Sequence, residues 1–111
     1  MDISALKELA AKVEAGEWDH SPNGVARQVF PYKSASIDDL GLTAVAAFNG
    51  SLDAAKALHD AVLPGFRWEG GSGGLFDVWD DPAEPHKGRC DIPARAWLLA
   101  ILRALIAENS Q

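Results

Sequence analysis

Apolar residues recur at helical spacing in four stretches of the 111-residue chain, and this pattern predicts four helices. Asp2 and Ser51 are predicted to cap two of them, and Ser36 stands at capping-box spacing from Asp39. The last stretch, "ARAWLLAILRALIA", is apolar almost all round, so we expect it to be buried on more than one side, under a sheet or against another subunit. The predicted helices cover residues 2–15, 36–48, 51–63 and 93–107.

The segment "FRWEGGSGGLFDVWD" alternates apolar and polar residues on both sides of a glycine run. This predicts two antiparallel strands, 66–69 and 75–80, with Phe76 and Val78 on one face and Trp79 on the other. A phosphate cradle would need the glycine run to open a helix and a Lys-Ser or Lys-Thr pair to follow it, and neither is present. The run 70–74 is therefore interpreted as a hairpin loop that can adjust its shape.

Two other segments are assigned from their composition. "VARQVFPYK" is predicted to hold a short strand, which Pro31 reduces to an edge strand or an irregular segment. "DDPAEPHKG" is predicted to be a polar loop. Together these elements predict one α+β domain over residues 1–111. Its small antiparallel sheet is packed between helices, as a helix–sheet–helix sandwich, with the apolar C-terminal helix in the core.

The charge of the chain is −6, from ten basic and sixteen acidic side chains, and a negative field repels nucleic acid. A basic surface on another protein is the more suitable partner. A single cysteine excludes an internal disulfide, and no signal peptide is visible. The longest apolar stretch is far short of the roughly 20 residues that span a bilayer, so we expect a soluble, cytoplasmic protein without a membrane partner.

Two tryptophans are candidate anchors of a binding face. Trp79, which points away from the predicted core side of its strand, and Trp18, in a loop, are each either covered by a second layer or exposed for binding. Trp97 is predicted to lie in the core. Nearby carboxylates form either a solvated loop or a surface for a basic protein, and this cluster comprises Asp77, Asp80, Asp81, Glu84 and Asp91.

No grouping in the sequence predicts catalysis, a metal site or a cofactor. His86 and Cys90 have His-x3-Cys spacing, but zinc needs three or four ligands, and only His20, His59 and nearby carboxylates could complete a set. A catalytic Cys–His pair would also need an orienting group. Cys90 is therefore predicted to be a small apolar residue at a helix entrance, and the protein is predicted not to be an enzyme.

The segment "FNGSLDAAKALHDAVLPGFRW", the hairpin after it and "DIPARAWLLAILRALIA" resemble the phage ABA sandwich domain family, over residues 48–107. The shared pattern is a Ser-Leu-Asp-Ala-Ala helix start, a Leu-Pro-Gly-aromatic-x-Trp strand start and an Ala- and Leu-rich last helix. The first half, with "QVFPYKSASIDD", departs from the pattern. The resemblance implies a helix–sheet–helix sandwich and a phage origin, and it implies no activity.

Two functions follow as hypotheses. The first is a small phage-encoded binding protein that antagonises a host defence system by binding a host protein through Trp79, its neighbouring carboxylates and Arg67. The second is a sponge for a small nucleotide signal, in which Trp18 or Trp79 would stack on a base. The sponge requires four basic side chains to converge on a tryptophan-floored pocket, namely Arg67, Lys87, Arg89 and Arg95. An enzyme and a phage assembly component are weaker alternatives that no sequence feature supports.

Overall fold

A computed structural model describes residues 2–18, 24–30, 39–71 and 73–110. Within these ranges the chain forms five helices and one three-stranded antiparallel sheet of order β1-β2-β3. The α+β class and the antiparallel sheet are confirmed. The elements are α1 (Ile3–Glu14), α2 (Val25–Val29), α3 (Leu40–Phe48), α4 (Leu52–Val62), β1 (Arg67–Gly71), β2 (Leu75–Trp79), β3 (His86–Arg89) and α5 (Pro93–Asn109).

Side-chain caps begin three of the helices, because the first backbone N–H groups of a helix have no partner within it. The Asp2 carboxylate accepts hydrogen bonds from the first turn of α1, and the Ser51 hydroxyl accepts one from Ala54 in α4. Both caps are confirmed. At α3 the capping residue is Asp39, whose carboxylate accepts from the backbone of Gly41 and Leu42. The predicted cap Ser36 lies outside the described residues.

The glycine run joins β1 to β2 as a hairpin, which confirms the predicted pairing with shifted bounds. Trp68 pairs with Val78, and the pairing continues through Gly70 opposite Phe76 and Gly71 opposite Leu75. Two glycines of the run therefore belong to the strand itself. A Cβ at Gly70 would lie 2.7 Å from the Phe76 ring, so only glycine leaves room for that ring. Gly73 and Gly74 turn the chain with positive φ angles of 79° and 74°.

Two predictions of secondary structure are wrong. "VARQV", predicted to lie in an edge strand or an irregular segment, forms the five-residue helix α2, whose Val25, Ala26 and Val29 are buried. "HKG", predicted as the end of a polar loop, lies in β3 (His86–Arg89), which pairs with β2. In both segments tertiary packing decides the conformation against a weak local signal.

Helix α5 is the centre of the core, as predicted. It packs against β2 and β3 on one side and against α1, α3 and α4 on the other, so α5 separates these three helices from the sheet. Trp97 is buried as predicted. No described helix is long and apolar enough to cross a membrane. The other apolar side chains of α5 that are almost fully buried are Ala94, Ala96, Leu98, Leu99, Ala100, Ile101, Leu102, Ala104 and Leu105.

The two arginines that interrupt the apolar helix α5 connect it to its neighbours. The Arg95 guanidinium lies 3.9 Å from the centre of the Phe48 ring, and its Nε donates a 3.0 Å hydrogen bond to the Phe48 carbonyl. Arg103 donates to the Lys87 carbonyl oxygen of β3 at 2.6 Å and pairs with Glu14 of α1 at 3.2 Å. These contacts fix α5 to both layers.

Gly88 permits the close approach of β3 to α5. A Cβ at this position would collide with the Ala96 carbonyl oxygen and would lie 2.7 Å from the Ala100 amide nitrogen. Both atoms belong to the helix backbone, which has no rotamer to change. The backbone of β3 therefore rests directly on the helix, and this contact sets the distance between the sheet and α5.

Candidate functional site

The sheet face that points away from α5, here called the outer face, is the candidate site. Alternate residues of the three strands form it, and cross-strand partners share it because side chains on a strand alternate between faces. Its residues are exposed or half-exposed, in contrast to the buried Phe76, Val78 and Gly88 on the inner face. The outer face comprises Arg67, Glu69, Leu75, Asp77, Trp79, Lys87 and Arg89.

Trp79 lies half-exposed on the outer face and is held there by its neighbours. Its orientation opposite to Phe76 and Val78 is as predicted. The indole Nε1 donates a 3.1 Å hydrogen bond to the Asp81 carboxylate, and the other oxygen of that carboxylate lies 3.0 Å from Nε of Arg67. Arg67 is also the cross-strand partner of Trp79. The structure thus brings together three of the predicted site residues and orients the indole ring.

The predicted acidic cluster does not form one patch. Asp80, Asp81 and Glu84 lie together on the exposed turn that follows β2, whereas Asp91 follows β3 at the opposite end of the strands. Asp77 lies mid-strand, opposite Lys87. Its Oδ1 is shielded from solvent and accepts no hydrogen bond within the described part of the chain. The acidic end of the outer face is therefore the end that carries Trp79.

The glycine loop, which the sequence indicated could adjust its shape, does not lie beside Trp79. The register places Gly71 opposite Leu75, and Trp79 lies at the other end of β2 opposite Arg67. Four residue steps along an antiparallel strand span roughly 14 Å. The turn next to Trp79 is instead the segment of residues 80–85, which sequence reasoning recognised only as a polar loop.

Trp18 lies away from the outer face. Its ring packs 5.4 Å from that of Phe48, in the helical part of the molecule, and it is partly buried against the core. The structure therefore does not bring Trp18 together with Trp79. Of the two predicted outcomes for Trp18, covered or exposed for binding, the packing against Phe48 favours the first.

The basic side chains do not converge on either tryptophan. Arg67 neighbours Trp79 but is paired with Asp81, Arg89 lies opposite Leu75 at the far end of the outer face, and Arg95 stacks on Phe48 in the helical layer. The outer face is thus of mixed charge, negative near residues 80–84 and positive near Arg89.

Sequence reasoning missed an aromatic cluster on the inner side of the sheet. Trp97 lies at the centre, with ring centroids 4.3 Å from Trp68 and 5.0 Å from Phe76. Trp68 is nevertheless 44% exposed, because it belongs to β1, which reaches beyond the part of the sheet that α5 covers. The alternation "FRWE" indicated the face of Trp68 but not its exposure.

The described cysteine and histidines are dispersed. His86 lies on β3, Cys90 is partly buried after it, and His59 is enclosed in the core, where Nε2 lies 2.9 Å from the Phe66 carbonyl oxygen. His20 lies outside the described residues. Among the residues described, no three His, Cys, Asp or Glu side chains lie close enough to hold a metal ion.

No protein-family model, curated protein or solved structure was found to match this chain. The resemblance to the phage ABA sandwich domain family accordingly stays a prediction, and the function is inferred from the outer face itself.

Proposed function

We propose that the chain is a non-catalytic binding module that binds a protein partner with the outer face of its sheet. The observation that carries the proposal is the orientation of Trp79, which Asp81 and Arg67 hold half-exposed on a face that no described helix covers. A tryptophan with a fixed ring loses little conformational freedom on binding, and tryptophan is enriched among residues that dominate binding energy.

The partner surface is basic where it meets the end of the outer face that carries Trp79. Asp80 and Glu84 are exposed there, and the charge of Arg67 is offset by Asp81. Exposed carboxylates at the rim of an interface mainly accelerate association with a positive surface. Trp79, with Asp77 farther along the same face, would supply contacts that slow dissociation.

A protein partner is favoured over a small nucleotide. A nucleotide site needs several cations around the phosphates, and here Arg67 is paired with a carboxylate while Arg95 is stacked on Phe48. The three-stranded outer face also offers no enclosing layer among the described elements, whereas small-molecule sites bury most of their ligand. A nucleotide sponge would be revealed by a nucleotide in the fraction that the immobilised chain captures.

The resemblance to the phage family supplies the biological setting of the proposal. In that setting the chain acts in the cytoplasm of an infected host cell and antagonises a defence system by binding a host protein. No cofactor is needed, because occupation of the partner's surface is sufficient to inhibit it.

The experiment is capture of proteins from a bacterial lysate on the immobilised chain, with Trp79→Ala and Leu42→Ala run in parallel. Leu42 is an exposed apolar residue on α3, remote from the sheet, and its substitution controls for nonspecific hydrophobic binding. We expect a protein that the unchanged chain and Leu42→Ala retain and Trp79→Ala loses. Kinetics with that protein should show binding weakened by about 2 kcal/mol or more for Trp79→Ala, chiefly through faster dissociation.

A second variant separates the role of charge from that of the anchor. Asp81 orients Trp79 and is therefore left unchanged. The variant that removes negative charge combines Asp80→Asn with Glu84→Gln, at two exposed positions. It should lower the association rate and reduce its salt dependence. Capture of the same proteins by Trp79→Ala and the unchanged chain would reject the proposal. A nucleotide extracted from the bound fraction would establish the sponge instead.

A further inference from the structure

Strand β1 is an edge of the sheet. It pairs with β2 on one side, and no described element pairs with it on the other. Alternate residues of an edge strand direct their N–H and C=O groups outward, where they form a template for another strand. Soluble proteins usually obstruct such an edge with a proline, a bulge, charged side chains or a covering segment. Residues 67–71 contain no proline, and their two charged side chains, Arg67 and Glu69, have opposite signs.

The side chains of β1 are complementary to themselves under a two-fold axis. If β1 pairs antiparallel with β1 of a second copy, and Trp68 lies opposite Trp68, then Arg67 lies opposite Glu69 twice. Both of these pairs lie on the outer face and join opposite charges. Directly opposed side chains of opposite charge stabilise strand pairing, and like charges destabilise it.

Charge also selects this register. A shift that centres the axis on Glu69 places two glutamates opposite each other, and a shift that centres it on Arg67 places two arginines opposite each other. A shift of one residue puts the indole of Trp68 on the same side as the charged residues of the other copy. Of these registers, only the one centred on Trp68 pairs opposite charges on the outer face and places the two Trp68 rings together on the inner face.

The exposed side of Trp68 fits the same arrangement. Its ring stacks on Trp97 at 4.3 Å on one side and remains 44% exposed, which is unusual for a tryptophan on the core side of a sheet. At the two-fold axis the two Trp68 rings would cover each other. Large aromatic rings bury considerable apolar area in such contacts.

The ion pair between Arg67 and Asp81 does not oppose this contact. Both side chains are mostly exposed, at 69% and 59%, so the guanidinium of Arg67 remains accessible to a further carboxylate. Asp81 lies on the β2 side of Arg67, whereas Glu69 of the second copy would lie on the free side. Arg67 would then sit between two carboxylates.

We propose that two copies of this chain associate through antiparallel pairing of their β1 strands, centred on Trp68, to form a continuous six-stranded sheet. This inference goes beyond the proposed binding activity and does not depend on it. It places two outer faces side by side, so that a dimer carries two Trp79 anchors on one surface.

The test is sedimentation velocity over a range of concentrations, from micromolar to millimolar. The unchanged chain should pass from a mass of 11.8 kDa to twice that value. Arg67→Glu and Glu69→Arg should each weaken dimerisation by about tenfold or more, because each variant opposes like charges at two positions. Both sites are exposed, and circular dichroism verifies that the variants are folded.

Mixing provides the decisive comparison. At positions 67 and 69 the Arg67→Glu variant carries two carboxylates, and the Glu69→Arg variant carries two guanidinium groups. An equimolar mixture of these two variants should therefore form a heterodimer, because opposite charges then face each other at both positions. The double variant Arg67→Glu/Glu69→Arg should dimerise like the unchanged chain, since the exchange preserves both pairs.

High salt should reduce the differences among the variants, because the paired charges are exposed and screened. Three results would each overturn the proposal: a monomer at all concentrations, a dimer unaffected by either charge reversal, or a mixture of the two single variants that fails to associate.

Discussion

Trp97 of α5 donates a hydrogen bond from its indole Nε1 to Nδ1 of His59 in α4, across 3.3 Å of the protein interior. The same imidazole has its Nε2 2.9 Å from the Phe66 carbonyl oxygen. Because Nδ1 accepts, Nε2 carries the proton and donates to that carbonyl. His59 thereby links the helical layer to the start of the hairpin, with every polar atom of its ring paired.

His59→Leu is expected to lower the free energy of unfolding by about 2–4 kcal/mol, because it leaves the Trp97 indole N–H and the Phe66 carbonyl without partners in the core. Once Trp97→Phe has removed the indole N–H, the histidine substitution should cost less. A double-mutant cycle by urea unfolding should give a coupling of about 1 kcal/mol. Strictly additive losses would show that the two side chains act independently.

Leu102→Ala should cost about 2–5 kcal/mol, since Leu102 is fully buried in α5 and truncation of its side chain leaves a cavity in the core. Leu42→Ala is the matched control: it is the same chemical change in a helix, at a side chain that is 60% exposed. Its cost should stay within about 0.5 kcal/mol. Equal losses in denaturant unfolding would contradict the assignment of α5 as the core.

Gly88→Ala should destabilise the domain by about 1–3 kcal/mol, although alanine is usually harmless in place of glycine. The added methyl group meets the backbone of Ala96 and Ala100, so β3 or α5 must move. Lys87→Ala, at the neighbouring outward-facing position, controls for general effects on the strand and should change stability by less than about 0.5 kcal/mol. Thermal unfolding of both variants measures the difference.

Asp77→Thr should raise the free energy of unfolding by about 0.5–1 kcal/mol. Aspartate is unfavourable within a strand, and one of its carboxylate oxygens is shielded from solvent without a hydrogen bond from the described residues. Asp80→Thr removes the same charge from an exposed turn and should be neutral. If Asp77→Thr instead lowers stability in chemical denaturation, the carboxylate has a favourable interaction with its cross-strand neighbour Lys87.

A stabilising Asp77→Thr would also bear on function. Residues that lower stability are often retained because a binding site needs them. The same variant should then weaken capture of the protein that depends on Trp79. Improved stability with unchanged capture would remove Asp77 from the proposed site while leaving Trp79 in it.

Sequence patterns predicted the elements whose signals are local. Asp2 and Ser51 mark helix starts because their side chains satisfy backbone groups a few residues away, and the alternation around the glycine run reflects the two faces of a hairpin. The continuous apolar surface of α5 likewise predicted burial on more than one side.

The elements that were missed depend on distant contacts. "HKGR" has neither alternation nor β-branched residues, and it is a strand because β2 pairs with it and Gly88 rests on α5. "VARQV" resembles a strand locally and forms a helix within the packed interior. The pairing of Trp79 with Asp81 was inferred only as proximity, because a sequence does not indicate which nearby carboxylate accepts the indole hydrogen bond.

The central position of α5 has a consequence for synthesis on the ribosome. Among the described elements α5 is the last in chain order, yet both the sheet and the helices α1, α3 and α4 bury their apolar sides against it. Until α5 has left the exit tunnel, the buried side chains Phe76 and Val78 of the sheet lack the helix that covers them. The part of the nascent chain that precedes α5 therefore carries apolar surface exposed until α5 arrives, and chaperones can bind that surface in the interval.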